Sequence, residues 1–160
     1  MALRKPLVNM GGRVQELPPG DQIDIELDSI KLTNKDSVTI VKLSIVSLHG
    51  TEESSVKLAL ADTFVNGHVL GIATESMAVD AQGIIQTDGL ISGSVSEWDA
   101  RIEGGSATGL TFGAIYYVSK TELGKITTVP PVAPGVISRV GRAVSSTVLD
   151  INIDYPIVLS

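Results

Sequence analysis

The pattern that most constrains the fold is the alternation of apolar and polar residues over positions 109–153. This stretch reads GLTFGAIYYVSKTELGKITTVPPVAPGVISRVGRAVSSTVLDINI, and each short run ends at a glycine, a proline or a small polar cluster. Runs separated by turn residues in this way are typical of short antiparallel strands joined by tight turns. The sequence therefore predicts a rigid β-module, and it places no nucleophile beside a general base within it.

Composition extends the same prediction to most of the chain. Hydrophobic residues make up 43% of the 160 positions but aromatic residues only 4%, so Val, Ile, Leu and Ala must build the core. The β-branched residues among them suit pleated sheets. A chain of this length buries about 70% of its unfolded surface on folding, so it needs no disulfide or structural metal. We predict an all-β protein: a compact β-sandwich or small β-barrel over residues 21–160, preceded by an extended N-terminal arm over residues 1–20. A subdivision near residues 57–62, and a separate subdomain over residues 24–57, are left open.

The predicted arm is marked by residues that disfavour a helix. Gly11-Gly12 permits unusual dihedral angles, and Pro18-Pro19-Gly20 favours an extended stretch that ends in a turn. The arm also carries apolar side chains that would be sticky if exposed, so we expect a neighbouring subunit to cover them. Its predicted interface residues are Leu3, Arg4, Lys5, Leu7, Val8 and Arg13.

Several segments of the body have the period of strands. Apolar and acidic side chains alternate over residues 23–32, which predicts a half-buried strand. Residues 38–48 are apolar on both faces, as in a strand that is central or covered by a partner, and Val41, Leu43 and Ile45 are therefore predicted interface residues. Residues 51–62 fit a short helix or a strand, and we favour a strand over residues 56–60. Further strands are predicted over residues 68–73, 83–87, 98–102, 115–119, 125–128, 136–140 and 147–153.

Charge is unevenly distributed along the chain. The formal net charge is −6, yet residues 1–13 contain three bases and no acid, whereas residues 14–103 contain fifteen acids and five bases. An acidic body repels phosphates, so we predict no nucleic-acid partner. No apolar run approaches the ~20 residues that span a bilayer, and no apolar stretch of a secretory signal follows the first bases, so we predict no membrane partner. The absence of cysteine excludes disulfides and thiol catalysis and fits assembly in a reducing cytoplasm.

Candidate catalytic and metal-binding residues lack partners in the sequence. His49 and His68 are the only histidines, and neither has a convergent partner nearby in the chain. No serine lies in a G-x-S-x-G elbow. Asp150, Asn152 and Asp154 would share one strand face, but the glycine and distal glutamate of an EF-hand loop are missing, which favours a solvated face over a Ca²⁺ site. We predict no enzyme activity, no cofactor and no metal site.

Two arginines lie close together in the sequence SRVGRAVS. Gly141 lets the backbone between Arg139 and Arg142 bend or approach a neighbour closely. Either the pair bridges to carboxylates of another subunit, since arginine is enriched at interfaces, or it has a partner in its own chain such as Asp150. We include Arg139 and Arg142 among the predicted interface residues.

The stretch over residues 109–153 resembles a module of structural proteins of tailed bacteriophages, including tail fibres, head fibres and capsid decoration proteins. LALADTFVNGHVLGIATESMAVDAQGIIQTDGLI over residues 58–91 resembles the first half of the same module, and ALRKPLVNMGGRVQELPPGDQI over residues 2–23 resembles the leader often seen on such proteins. The resemblance implies a virion protein that is made in the host cytoplasm and binds the major capsid protein or other virion proteins.

Within that group we expect a capsid decoration protein on the exterior of the head. Many copies would cement the assembled shell through inter-subunit contacts, as a homo-oligomer that is a trimer or a dimer. A fibre needs a long shaft or a further receptor-binding domain, so the length favours decoration. The alternative is a head-fibre or tail-fibre attachment and host-recognition module, which predicts few copies per particle and glycan binding through Trp98 or Tyr117. A small hydrolase would require His49, His68 and a carboxylate to converge in one pocket.

Overall fold

A computed structural model describes Leu7–Met10 and Arg13–Glu16 as backbone, and residues 28–160 with their side chains. Strands dominate this described part, which confirms the all-β prediction. The strands are β1 (Leu7–Met10), β2 (Arg13–Glu16), β3 (Ser29–Asn34), β4 (Ile45–Leu48), β5 (Ser55–Leu58), β6 (Val69–Ala73), β7 (Gln82–Gln86), β8 (Gly89–Ser92), β9 (Ile115–Val118), β10 (Ile126–Thr127), β11 (Gly135–Ile137), β12 (Arg139–Ala143), β13 (Val148–Ile151) and β14 (Ile157–Leu159). The helices are α1 (Phe64–Gly67) and α2 (Val95–Asp99). Neither of these helices is long and apolar enough to cross a membrane.

The first half of the body is a closed barrel of five strands in the order β3-β5-β4-β6-β7, which confirms the predicted small barrel. Its pairings are antiparallel except for the short parallel pairing of β3 with β5. A closed barrel leaves no free strand edge for a wrong partner. The interior is filled by Leu32, Ile40, Val46, Val56, Ala73, Met77 and Ile85.

The second half is an antiparallel sheet in the order β10-β9-β12-β13-β8, which we call the outer sheet. One face of this sheet packs against the outside of the barrel, and together they enclose the larger core. The barrel strands β4 and β6 are therefore apolar on both faces, because one face lines the barrel and the other meets the sheet. The outward side chains of β3 and β7, such as Ile30 and Ile84, are exposed instead. The larger core consists of Leu43, Ile45, Ala59, Ala61, Val69, Ile72, Ile91, Trp98, Ile102, Leu110, Tyr116, Val118, Ile126, Val140, Ala143, Leu149 and Ile151.

The strand predicted over residues 38–48 is shorter than expected. The chain turns before it, where the backbone N–H of Ser44 donates to the carbonyl oxygen of Val41 at 3.0 Å. Leu43 lies within this turn with a φ of 68°, a left-handed conformation that no strand residue adopts. The strand therefore begins only at Ile45.

The two apolar faces of that strand are both covered within the chain. Val46 packs in the barrel interior and Ile45 in the core shared with the sheet. Leu43 and Ile45 are fully buried, so their assignment to an interface is wrong, and the burial that the sequence demanded is supplied by the second sheet. Val41 alone of the three predicted residues is exposed.

The strand predicted over residues 98–102 is also wrong, because α2 occupies part of it. The Ser94 hydroxyl accepts from the Glu97 backbone N–H at 3.1 Å, and the Glu97 carboxylate accepts from the Ser94 N–H at 2.8 Å. This capping box satisfies donors that a short helix otherwise leaves unpaired. The helix then buries Trp98 completely, and its indole N–H donates to the Thr147 carbonyl oxygen at 2.9 Å.

The capping box makes the start of α2 sensitive to pH. The Ser94 backbone N–H and the ammonium of Lys42, which lies 3.0 Å from the Glu97 carboxylate, hold the pKa of Glu97 below its usual value of 4.5. A carboxyl group whose pKa is lowered by folding adds stability above its unfolded pKa and loses it as the pH falls through the folded pKa. Part of the stability of this fold should therefore disappear in acid.

We expect Glu97→Gln to lower the free energy of unfolding at neutral pH, because the amide keeps an acceptor oxygen but loses the charge. The difference from the wild type should shrink as the pH falls from about 5 towards the lowered pKa. Urea denaturation followed by circular dichroism at several pH values measures this difference. A difference that stayed constant from neutral to acidic pH would contradict the assignment.

Two small sheets complete the described structure. β1 pairs antiparallel with β2, and β11 pairs antiparallel with β14. The predicted arm residues Leu3, Arg4 and Lys5 lie outside the described residues, as do positions 11–12 and 17–27, and for Leu7, Val8 and Arg13 only the backbone is described. The arm and its proposed contacts therefore remain predictions.

Candidate interaction surface

A groove of about 210 Å³ opens between the end of β4, helix α1 and the start of β6. We call it the barrel groove. Its walls are mostly aliphatic and aromatic, and it brings together two histidines that are 19 positions apart in the sequence. The barrel groove is lined by Leu48, His49, Gly50, Phe64, Val65, His68, Val69 and Leu70.

Helix α1, which forms one wall of the groove, is short but firmly held. The Thr63 side chain caps it by accepting from the Asn66 backbone N–H at 3.3 Å. At its other end Gly67 is buried, and its carbonyl oxygen accepts from the hydroxyl of Ser138. A Cβ at Gly67 would lie 3.3 Å from the Cβ of Val136 in β11, so glycine allows this close approach. The side chains that α1 turns towards the groove are thus fixed before any partner arrives.

Three rings form a cluster at the edge of the barrel groove. The ring centroids of Phe64 and His68 are 5.3 Å apart, those of His68 and Tyr155 are 5.2 Å apart, and those of Phe64 and Tyr155 are 5.6 Å apart. Edge-on and tilted contacts at these distances are favourable for aromatic pairs. Tyr155 is nevertheless 72% exposed, so the cluster presents an aromatic face to the outside of this chain.

The apolar surface continues beyond the rings. β14 pairs with β11, with Val158 opposite Val136, and Val136 in turn touches the end of α1. Large contiguous patches of exposed apolar surface are rare on soluble proteins, and they mark interaction sites. The exposed large apolar side chains of this region are Leu48, Val65, Tyr155, Ile157 and Val158.

The rim of the barrel groove is acidic on one side. A second depression of about 230 Å³ shares residues 48–50 with the groove and continues over residues 51–54, which include Glu52 and Glu53. The His49 ring holds this loop, since its Nδ1 accepts from the Glu52 backbone N–H at 3.2 Å. Neither glutamate forms an ion pair with any residue that the structure describes. The pKa of Lys35 is raised chiefly by its hydrogen bond to Asp80, and the charge of Glu52 adds to that effect.

A separate exposed aromatic residue stands on the outer sheet. Phe112 is 80% exposed, at the second position of a tight turn in which the Ala114 N–H donates to the Thr111 carbonyl oxygen at 3.0 Å. Gly113 follows with a φ of 79°, which a type II turn requires at its third position. The Thr111 N–H donates to the hydroxyl of buried Tyr116 at 2.9 Å, so the turn is tied to the core.

The guanidinium of Arg142 lies under this turn. Its Nε donates to the Gly113 carbonyl oxygen at 3.0 Å, and the Gly113 N–H donates to the Ala143 carbonyl oxygen of β12 at 2.8 Å. Asp150 is the cross-strand neighbour of Arg142, but within the described part of the chain the two form no ion pair. We call Phe112 together with Arg142 the knob.

The two arginines predicted for an interface thus differ in their surroundings. Arg139 is half-buried, and one of its guanidinium nitrogens lies 3.8 Å from a carboxylate oxygen of Asp154, at the limit of an ion pair. Its Nε is buried, and no residue that the structure describes forms a hydrogen bond with it. Arg142 is exposed beside Phe112. The structure places only Arg142 at the surface as a charge available to another molecule.

The two residues predicted for glycan binding, Trp98 and Tyr117, differ in how far they are buried. Trp98 is fully enclosed in the larger core, so the prediction that it stacks on a sugar is wrong. Of the adjacent tyrosines, Tyr116 is buried and Tyr117 is half-buried on the other face of the sheet, as the strand period predicts. The exposed aromatic faces belong to Phe112 and Tyr155.

The two histidines converge, although no local pattern in the chain indicates it. His49 and His68 both line the barrel groove, but among residues 28–160 no carboxylate or nucleophilic side chain lines that groove with them. Within residues 28–160, no three His, Asp or Glu side chains are grouped closely enough to hold a metal ion. The arrangement is suited to contact with an apolar partner.

No protein-family model matches this chain, and no curated protein is similar enough in sequence to count as a relative.

The sequence prediction included Arg142 but missed Phe112 and the barrel groove, for different reasons. Phe64 and Tyr155 are ninety-one positions apart, and nothing in the sequence pairs them. Phe112 carried a usable signal, since an apolar ring directly before a turn glycine projects from the turn unless another element covers it.

Proposed function

We propose that this protein is a structural component of the exterior of a tailed-bacteriophage head, where many copies bind the assembled shell and stabilise it. The observation that carries the proposal is the exposure of large apolar side chains, at the barrel groove and at the knob, on a frame of buried strands. Side chains such as Phe112 and Tyr155 are held in place by the fold and are left uncovered by the described part of the chain, so another molecule can bury them. The resemblance of residues 58–91 and 109–153 to virion proteins indicates the kind of assembly.

The proposed mechanism is mass action on the assembled state. A protein that binds the intact shell and not the dissociated subunits stabilises each site by about 2.7 kcal/mol when its free concentration is a hundredfold above Kd. Several weak contacts that engage together hold one copy through a raised effective concentration. No bond is made or broken in this mechanism.

The uneven charge supports different roles for the arm and the body. Residues 1–13 carry Arg4, Lys5 and Arg13 without an acid, whereas residues 14–103 are strongly acidic. A basic arm is attracted to acidic patches on a shell surface, while the acidic body keeps the protein from nucleic acid. In this proposal the arm is the anchor on the major capsid protein.

Deleting residues 2–19 should abolish decoration while leaving the body folded. The barrel and the outer sheet are built from residues 29–151, so the truncated protein should unfold cooperatively at nearly the same temperature as the full chain. Sedimentation of shells that lack the native protein, mixed with either form, measures the number of bound copies. Truncated protein that binds as well as the full chain would exclude the arm as the anchor.

The same binding experiment should be repeated at several salt concentrations. If Arg4, Lys5 and Arg13 contribute to the anchor, binding of the full chain should weaken as salt screens their charges over about 10 Å at 0.1 M. A matched triple substitution to glutamine should bind more weakly at low salt and show a flatter salt dependence. Salt-independent binding of the full chain would contradict the charge argument.

A head-fibre or tail-fibre attachment module for host recognition is the second candidate. It is favoured by the exposed aromatic face of Tyr155, which lies beside Phe64 and His68 and offers a surface on which a sugar ring can stack. The number of copies per particle separates the two candidates. Hundreds of copies support decoration, and about a dozen or fewer at one vertex support the attachment module.

A further inference from the structure

We infer that copies of this chain join through two different surfaces: the knob of one copy enters the barrel groove of another. The inference rests on the proposed function for the view that protein covers these surfaces, and it names the partner as a second copy of this chain. Its basis is the complementarity of the knob and the groove in size, polarity and charge.

The groove has room for the ring of Phe112. Its volume is about 210 Å³, whereas an apolar cavity of ~150 Å³ is enough to bind benzene. The side chain of Phe112 stands clear of its own chain, since it is 80% exposed on a turn fixed by hydrogen bonds at both ends. An aromatic side chain held in this way loses little conformational freedom on insertion.

The lining of the groove matches an aromatic guest. Leu48, Val65 and Leu70 offer apolar contact. The rings of Phe64 and His68 already pack edge-on against each other, with centroids 5.3 Å apart, and a third ring can join them in the same way. Val65 is 55% exposed on α1 although it lines the groove. A ring inserted here covers apolar surface on both copies at once.

Charge gives the contact its direction. Arg142 is held against the turn that carries Phe112, and Glu52 and Glu53 stand on the rim of the groove. None of these three side chains is engaged in an ion pair with a residue that the structure describes. When Phe112 enters the groove, the positive charge beside it comes close to the negative rim, which favours this pairing over knob against knob.

The surroundings of the knob do not oppose such a contact. Leu90, Asp150, Arg142 and Ile115 form one row across the outer face of the sheet, and Leu90 and Ile115 in that row are exposed apolar residues. Asp150 is the one acidic side chain of this row, and it lies opposite Arg142 without forming an ion pair with it in the described part of the chain. The outer face thus adds apolar area around the ring.

Two unlike surfaces on one chain restrict the assembly. Such contacts close into a ring, a reciprocal pair being the smallest, or they continue as an open chain. The predicted dimer and trimer are both closed forms of this contact. Because each copy has one knob and one groove, removing either from a copy leaves it able to use the other.

Complementation between two damaged copies tests the inference. We expect Phe112→Ala, which removes the knob, and Val65→Asp, which charges the groove, each to weaken self-association by about thirtyfold or more. An equimolar mixture of the two should form a one-to-one complex that grows no further, since it has one intact knob and one intact groove. Sedimentation velocity on the separate and mixed proteins distinguishes these species.

Val129→Asp is the matched control, because Val129 is an exposed valine on a different depression of the surface. It should leave self-association unchanged, and circular dichroism should show that all three variants are folded. A wild type that stays monomeric, single variants that associate like the wild type, or a mixture that forms no complex would overturn the inference. Arg142→Glu paired with Glu53→Arg in a second copy should restore association lost in Arg142→Glu alone.

The outcome is separable from the fate of the proposed function. Self-association is measured without shells, and decoration is measured by binding to shells with the arm intact. Wild-type protein that decorates shells as a monomer overturns the contact between copies and leaves the proposed function standing. Protein that self-associates through the knob but binds no shell supports the contact between copies and overturns the proposed function.

Discussion

Replacing Trp98 by alanine should lower the free energy of unfolding by about 3–5 kcal/mol. Trp98 is the only tryptophan, is fully buried, and belongs to the core that joins the barrel to the outer sheet. Truncation removes a large apolar area and leaves a cavity, and it also leaves the Thr147 carbonyl oxygen without its indole donor. Because unfolding cannot then be followed by tryptophan fluorescence, urea denaturation should be monitored by circular dichroism.

Trp98→Phe is the matched variant for this prediction. Phenylalanine keeps most of the apolar bulk but cannot donate to Thr147, so its cost should fall between that of the alanine variant and zero. The difference between the two variants separates the packing loss from the loss of the hydrogen bond. A cost below about 1 kcal/mol for Trp98→Ala would contradict the central position of this residue in the core.

Gly141→Ala should be the second strongly destabilising substitution, with a cost of at least about 3 kcal/mol. Gly141 lies in β12 between two neighbours, paired with Ile151 on β13 and with Tyr116 on β9. A Cβ at this position would overlap the carbonyl oxygen of Asp150 and come within 3.0 Å of its carbonyl carbon. These are backbone atoms of a central strand, so the clash can be relieved only by moving β13 away from the sheet.

Gly50→Ala is the control for the loss of a glycine. A Cβ at Gly50 would meet only a methyl group of Val65 at 3.8 Å, an ordinary contact. We expect its effect on the free energy of unfolding to lie within about 0.5 kcal/mol. Thermal unfolding of both variants compares them directly, and equal costs would show that the close approach at Gly141 is not what the fold requires.

The sequence predicted the fold class well because that prediction depends on period and composition alone. Alternating apolar residues with turn signals between them led to an all-β protein with a sandwich or a small barrel. The chain is all-β, and its first half forms a closed barrel beside a second sheet. The prediction of single elements failed where tertiary contacts outweigh the alternation of apolar and polar residues. Residues 95–99 form a helix because the Ser94–Glu97 capping box and the burial of Trp98 together outweigh the preferences of a few residues.

The two-sided strand shows a different kind of failure. The observation that residues 38–48 are apolar on both faces was sound, and the inference that another molecule covers one face did not follow. The second half of the same chain covers it, which buries Leu43 and Ile45. A pattern of burial states that a face is covered but not what covers it.

The candidate surfaces divide in the same way. Arg142 was predicted from its type and its place beside a glycine, and it is exposed on the outer sheet. The barrel groove could not be predicted, since its walls come from β4, α1 and β6, and its aromatic edge is completed by Tyr155 from the far end of the body. Contacts between residues so far apart in sequence leave no local period to detect.

By itself the sequence determined the class of the fold and the uneven charge, because each of these depends on composition or on residues close together in the chain. The tertiary structure alone decided which apolar residues are buried and which stay exposed. Ile45 and Val65 are both aliphatic residues near turns, yet one lies between two sheets and the other on the surface. The physical reason is that burial depends on which distant strand packs against a face, and that is settled only when the whole chain has folded.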